Sequence, residues 1–171
     1  MQLWAEDEAR FGLQPIVRKV WSPIGQRPVA EVNPGYEWFW SYAAVNPESG
    51  ESFWLILPNL QATSVEIFLE EFAKSQQVGE EKIIVLIWDG APAHRAQIKV
   101  PKGILLVQLP ARTPELNPSE RLWPLLKESV ANESYQSLTE MEDVVVEKIK
   151  SLSEEKEMLS SRTKYHWLPP S

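Results

Sequence analysis

The sequence predicts one α/β domain built on a mixed sheet, and three observations carry that prediction. Two aromatic, β-favouring runs, Glu37 to Val45 and Glu51 to Leu57, are separated only by NPESG and read as an antiparallel hairpin. Two later runs, Ile83 to Trp88 and Ile104 to Leu109, are apolar on both faces, as buried strands covered by helices are. Between them, Val65, Phe68, Leu69 and Phe72 fall at i, i+3, i+4 and i+7, the spacing of an amphipathic helix. An antiparallel meander followed by parallel strands with crossover helices gives a mixed, five-stranded sheet flanked by helices.

Each element has a local reason. Gln2 to Asp7 reads as the first strand, and after it Pro15, Pro23, Gly25, Pro28, Pro34 and Gly35 break the chain into a long irregular stretch reaching Tyr36. A connection of that length inside a compact domain tends to be functional. The first helix is expected over Ser64 to Gln76, with Thr63 and Glu66 as a capping box. A short helix is expected over Ala93 to Lys99. Asn117, Pro118 and Glu120 then form a helix start, with Pro124 either kinking that helix or opening it. The last helix, Leu138 to Leu152, is expected to bury Met141, Val144, Val145 and Ile149, with Ser137 and Glu140 as its box. One domain over residues 1–160 and an extended tail over 161–171 complete the expectation.

A chain of 171 residues with 43% hydrophobic content is large enough to bury a core. It has no cysteine, which excludes disulfides and thiolate-bound zinc. No apolar run reaches the roughly 18 residues of a membrane span, so a cytoplasmic protein without a membrane partner is expected. The net charge of −7 argues against a simple basic nucleic-acid module. Its distribution is uneven: residues 8–35 and 90–130 are net basic, whereas 36–82 and 131–171 are net acidic. The basic segments adjoin three conspicuous acids, as expected where a polyanion approaches an acidic metal site, although scattered solvated charge explains the same asymmetry.

Those acids are Asp7 in AEDEARF, Asp89 in IIVLIWDGAPAH and Glu120 in LPARTPELNPSERLWPLLK. Asp89 stands where an apolar strand leaves the core, the position at which open α/β sheets bind ligands; an Asx turn ending the strand is the plainer reading. Asp7 is expected at the end of its strand, with Glu6 and Glu8 competing for its role, since adjacent strand residues face opposite ways. Glu120 is either a ligand or the third residue of a capping box, and Glu115 competes with it. If Asp7 and Asp89 end neighbouring strands beside the helix of Glu120, three carboxylates converge. Like charges so placed raise one another's pKa or demand cations, and oxygen donors favour Mg²⁺ or Mn²⁺ over zinc. Two such ions about 4 Å apart suit in-line displacement at phosphorus.

Together the three segments resemble the catalytic domain of mariner-superfamily transposases, in particular the bacterial insertion-sequence branch. DEARFGL resembles the first motif, WDGAPAH the second and PARTPELNPSERLWPLLK the third, while WSPIGQRP from Trp21 resembles the stretch after the first acid. The family more often has Asn where Gly90 stands, and its second and third acids are usually a little farther apart than the thirty residues between Asp89 and Glu120. The resemblance implies a ribonuclease H-like fold and an Asp, Asp, Glu triad of Asp7, Asp89 and Glu120 that is both catalytic and the ligand set for two Mg²⁺ or Mn²⁺ ions. It also implies hydrolysis of DNA at transposon ends and transfer of the freed 3′-hydroxyl to target DNA, by a homodimer acting at the bacterial nucleoid. Arg10, Arg18, Lys19 and Arg27 in the long loop are then contacts to DNA or to a second protomer.

Family members carry helix-turn-helix modules before this domain. The present sequence begins at the first catalytic strand, which points to a split, truncated or excised form, with end recognition lost or supplied by a separate helix-turn-helix polypeptide. An inactive remnant or interaction module is one alternative, and another ribonuclease H-like nuclease, acting on RNA–DNA hybrids or Holliday junctions, is a second. His94 orients a phosphate or a metal-bound water, or simply stabilises its turn. Arg95, Arg112, Arg121 and Lys127 are candidate phosphate contacts. The WFW triplet at 38–40 suits base stacking or, more simply, a core strand.

Overall fold

A computed structural model describes residues 1–14, 16, 18, 19, 21–26, 35–95, 97–166 and 168. Five strands form one sheet in the order β3-β2-β1-β4-β5, with β1 at Gln2–Gly12, β2 at Trp38–Val45, β3 at Ser52–Leu57, β4 at Ile84–Trp88 and β5 at Ile104–Gln108. The first three strands pair antiparallel, and β4 and β5 continue the sheet in parallel with β1. The mixed sheet is therefore the expected one.

Strand alternation divides the core into two layers. On one face Trp4, Tyr42, Ala44, Ile84, Leu86, Trp88 and Ile104 pack against Val65, Phe68, Leu69 and Phe72 of helix α1, Ala62–Ser75. On the other, Ala5, Ala9, Phe11, Phe39, Ala43, Val45 and Ile87 pack under α2 (Leu122–Lys127), α3 (Leu138–Glu154) and α4 (Lys156–Thr163). The α4 helix continues across residues 160 and 161, so regular structure persists to Thr163.

Several expectations are corrected. The first strand does not stop at Asp7 but runs to Gly12, because β2 pairs along its second half from Ala5↔Val45 to Gly12↔Trp38. The α1 helix starts two residues early from Gln61, which makes no side-chain cap, and the Glu66 carboxylate accepts from the Lys99 amide (2.8 Å) instead of boxing Thr63. That tie helps explain why the expected helix over 93–99 is only a single 3₁₀ turn at Pro92–Arg95: the Lys99 amide is claimed by α1 rather than by a helical ladder of its own. The β5 strand is buried on one face only, since the α2–α4 layer leaves Leu105 and Val107 about half exposed at the sheet edge. The Ser137 cap of α3 is as expected: its hydroxyl accepts from the Glu140 amide, and the Glu140 carboxylate accepts from Gln136.

Candidate metal centre

The parallel ladder between β1 and β4 ends at Ala5↔Ile87, and two residues farther along each chain stand Asp7 and Asp89. Ala5 and Ile87 belong to the core layer that contains Leu122 and Trp123, so strand parity carries Asp7 to the side on which residues 118–127 pack. Glu6 and Glu8 take the opposite parity and point to the α1 side.

The third segment is fastened to β1 from two directions. The Asn117 side chain donates to the Glu6 carbonyl (2.9 Å), and the Trp123 indole donates to Asp7 Oδ2 (2.6 Å), both bonds buried. Asn117 also caps a 3₁₀ turn at Pro118–Arg121, accepting from the amide and hydroxyl of Ser119. Its own amide donates to Pro114 rather than to a capping-box glutamate. Among the described residues, no hydrogen bond holds the Glu120 carboxylate, so the cap alone does not explain it. Pro124 falls in the first turn of α2, where its missing N–H breaks no helical bond, so of the two expectations, a kink or a helix opening at Pro124, the structure has the opening, two residues earlier at Leu122.

Electrostatics link the three acids. Burial, first of all, raises Asp7 to about 8, with the Trp123 hydrogen bond opposing and the charge of Glu120 adding to the rise. Glu120 is raised by burial, relieved in part by Lys127 and raised again by the charge of Asp89. Asp89 is the exposed member: its Oδ1 accepts from the Ala91 amide (2.8 Å), so the Asx turn is real, and it lies 2.9 Å from His94 Nδ1. A cleft of about 300 Å³ opens between the second and third segments, lined by Asp89, Gly90, Ala91, residues 109–114, Asn117 and Glu120. Asp7 lies outside that lining, buried at the Trp123 side. Glu115 is exposed on the preceding turn.

The basic residues divide. Arg112 lines the cleft with a left-handed backbone (φ 63°), a conformation that a non-glycine residue holds at a local cost. Arg10 lies over the Trp38 ring, and Arg121 bonds Tyr165 Oη (2.9 Å) while lying over its ring. Arg18 and Lys19 are exposed. Arg27 and the side chain of Arg95 lie outside the described residues. Of the two readings of His94 the structure has the turn-stabilising one: its Nδ1 lies 3.1 Å from the Asp89 carbonyl, its side chain is 1% exposed and both ring nitrogens are engaged, which leaves none for a phosphate. Its Nε2 meets Glu8 Oε1 at 2.8 Å and its ring stacks on Trp88. Burial opposes its charge, but hydrogen bonds to Asp89 and Glu8 with the added charge of Glu6 override that and push His94 to about 11.

Sequence reasoning missed Asn117 and Trp123 as positioning residues and the pairing of Glu8 with His94. The first two were readable only as a cap and an apolar residue. The pairing spans 86 positions, and strand alternation on either side of Asp7 was its only signal.

Comparison with known proteins bears on the family and the fold. The family model described as DDE superfamily endonuclease matches residues 2–142. An uncharacterized protein, y4pE/y4sA, of Sinorhizobium fredii (strain NBRC 101917 / NGR234) is 33% identical over 93 residues, which is 54% of this chain and 67% of that protein. The catalytic domain of Mos1 mariner transposase superposes over 96% of this chain and 83% of its own, with a TM-score of 0.55 at 14% identity. A Mos1 transposase paired-end complex with the left transposon end gives a TM-score of 0.60 at 16% identity; the chain spans 56% of that transposase. No described helix is long and apolar enough to cross a membrane. The chain thus belongs to the DDE superfamily endonuclease family, and its sheet has the ribonuclease H-like fold of the mariner transposase catalytic domain.

Proposed function

We propose that this chain is the catalytic domain of an insertion-sequence DNA transposase, in which Asp7, Asp89 and Glu120 are the catalytic acids and hold two Mg²⁺ or Mn²⁺ ions. The observation that carries this reading is geometric: Asp89 and Glu120 line one open cleft, and the Trp123 bond ties the buried Asp7 to the segment that carries Glu120. Buried acids to whose rise a neighbouring acid adds, Glu120 for Asp7 and Asp89 for Glu120, with oxygen donors only, fit hard divalent cations. When bound, such ions lower the pKa of water or a 3′-hydroxyl and stabilise the leaving oxygen at phosphorus. The chain's own part is positional. Trp123 and Asn117 fix β1 against the third segment, the Asx turn aims Asp89, and Lys127 tempers the charge on Glu120.

Arg112 at the cleft, with Arg10, Arg18, Lys19 and Arg121 farther out, would hold the DNA backbone. Transposition joins two ends to one target, so the reading includes a homodimer, working on DNA in the bacterial cytoplasm at the nucleoid.

The test is nicking of supercoiled plasmid by the purified chain in Mg²⁺ or Mn²⁺. Asp89→Asn and Glu120→Gln should each lower the rate at least about 100-fold, as expected for loss of a ligand to ions that stabilise the transition state. Equal nicking by the variants and the parent would sink the assignment.

A further inference from the structure

On the α1 side of the sheet, opposite the proposed centre, lies a second group of ligand atoms. The carboxylates of Glu6 and Glu8 and a ring nitrogen of His94 offer one donor each within 4.8 Å of one another. Acids gathered together do not make a site, but Glu6 adds an independent fact: it is 1% exposed and, among the described residues, neither of its carboxylate oxygens has a hydrogen-bond partner. A carboxylate stranded in a core is costly, and native structures rarely leave one so. Glu8 and His94 close over it with side chains 3% and 1% exposed.

The imidazole is already oriented as a ligand. Its Nδ1 lies 2.9 Å from Asp89 Oδ1 and 3.1 Å from the Asp89 carbonyl, while Nε2 faces Glu8 Oε1 at 2.8 Å. A carboxylate or carbonyl on one ring nitrogen, setting the tautomer so that the other can ligate, is the usual outer arrangement of a metal-bound histidine.

We propose that Glu6, Glu8 and His94 Nε2 form a buried site for one divalent transition-metal cation, Zn²⁺ or Mn²⁺, separate from the ions of the nuclease centre. A donor set of one imidazole and two carboxylates favours these ions over Mg²⁺. Bonds of about 2.1 Å at tetrahedral angles require donor separations of roughly 3.4 Å. The Glu8 to His94 contact therefore opens by about half an ångström, and the wider separations, at most 4.8 Å, close by no more than about 1.4 Å. The cation takes the place of the proton that now joins Nε2 to Glu8. It gives the stranded oxygens of Glu6 a partner, and through Nδ1 it holds the ring against Asp89. The site stands whether or not Asp7, Asp89 and Glu120 prove to be the reacting centre.

Zinc is the probe. The full chain is unfolded in urea with a chelator, refolded with Zn²⁺, desalted and assayed for bound metal. Burial of all three ligands predicts slow exchange, so one equivalent should survive desalting and a thousandfold excess of Mg²⁺. Glu6→Gln and Glu8→Gln, both close in shape to the parent, should retain less than a tenth of an equivalent, while Glu120→Gln retains the full one. The chain has only two histidines, and Trp88 stacks on one of them. Zinc should therefore shift the imidazole nitrogen resonances of His94 and leave those of His166 in place, and this readout in the parent chain decides even if a variant fails to refold. No retained zinc in the parent, full retention in Glu6→Gln, loss in Glu120→Gln, or an unmoved His94 signal would each overturn the proposal.

Discussion

Adjacent residues of one strand, Asp7 and its neighbours Glu6 and Glu8, occupy opposite faces of the sheet and solve the burial of negative charge differently. On the α1 face the protein supplies its own cation, the His94 ring held between Glu8 and Asp89. On the α2 face Asp7 has neutral donors, the Trp123 indole and the Glu8 backbone amide, and a second carboxylate nearby. In the metal-free protein one face has a positive group of its own and Asp7 on the other has none among the described residues. The difference shows how one strand can hold acids on both faces: the counter-charge for Glu8 comes from His94 on the 3₁₀ turn after β4, while Asp7 on the other face is relieved by hydrogen bonds.

The contrast breaks most visibly at His94. Replacing it with Leu leaves Glu6 and Glu8 buried without a positive partner, which should cost roughly 3–5 kcal/mol of stability, the usual penalty for removing one member of a buried ionic pair. Urea unfolding of the metal-free protein reads this directly. A loss under about 1 kcal/mol would mean that the two faces do not differ in the way described.

The next effect is on pH. The folded protein holds Asp7 at about 8, above its ordinary value near 3.8, so between those pH values it keeps a proton that the unfolded chain has released. Stability therefore falls as pH rises through that window. His94, raised from 6.5 to about 11, works in the same direction: its contribution is complete below 6.5 and is lost as pH climbs towards 11. The metal-free chain should melt at progressively lower temperature from pH 5 to pH 9. Asp7→Asn should lessen the slope below pH 8, where His94 contributes only from 6.5, and leave the part above it. A melting temperature that rises with pH would contradict both assignments.

A smaller effect of opposite sign separates the faces further. Asp7→Asn keeps the shape of the side chain and removes the need to take up a proton on folding, so at pH 7 it should stabilise the metal-free protein by at least about 1 kcal/mol, the value of one pKa unit, while abolishing nicking. Stability and activity then move apart at Asp7 and together at His94. Parallel urea curves and nicking assays on the two variants would show whether they do.

How far the sequence could foretell this depends on range. Helix α3 was legible because its apolar spacing and Ser137 cap are local, and Asp89 because an apolar run ends on it. The second half of β1 was not, since EARFG is polar enough to pass for a loop until β2 pairs with it. Thr63 and Glu66 looked like a cap by spacing alone, yet Glu66 is drawn 33 residues away to Lys99. Of the candidate centre, the three acids could be read from their settings, but the bonds that position them, Asn117 to Glu6 and Trp123 to Asp7, cross more than a hundred residues and leave no periodic trace.

The smallest expected effect concerns two arginines that look alike in sequence. Arg112 lines the cleft and holds a left-handed backbone there, a strain with no structural return in sight unless the side chain meets something that enters. Arg121 is one residue from Glu120 but is bound to Tyr165, so its charge is already engaged at the far end of the third segment. If the cleft accepts a DNA backbone, Arg112→Ala should weaken binding several-fold and lower the slope of log affinity against log salt by about one, the share of a single phosphate contact, with little dependence on sequence. Arg121→Ala must first release Tyr165 and should change that slope by less. Fluorescence anisotropy of a labelled duplex across a salt series measures both. Equal slopes for the two variants would mean that the DNA path is not set by the cleft, and would move attention to the strip running from Arg10 across Trp38.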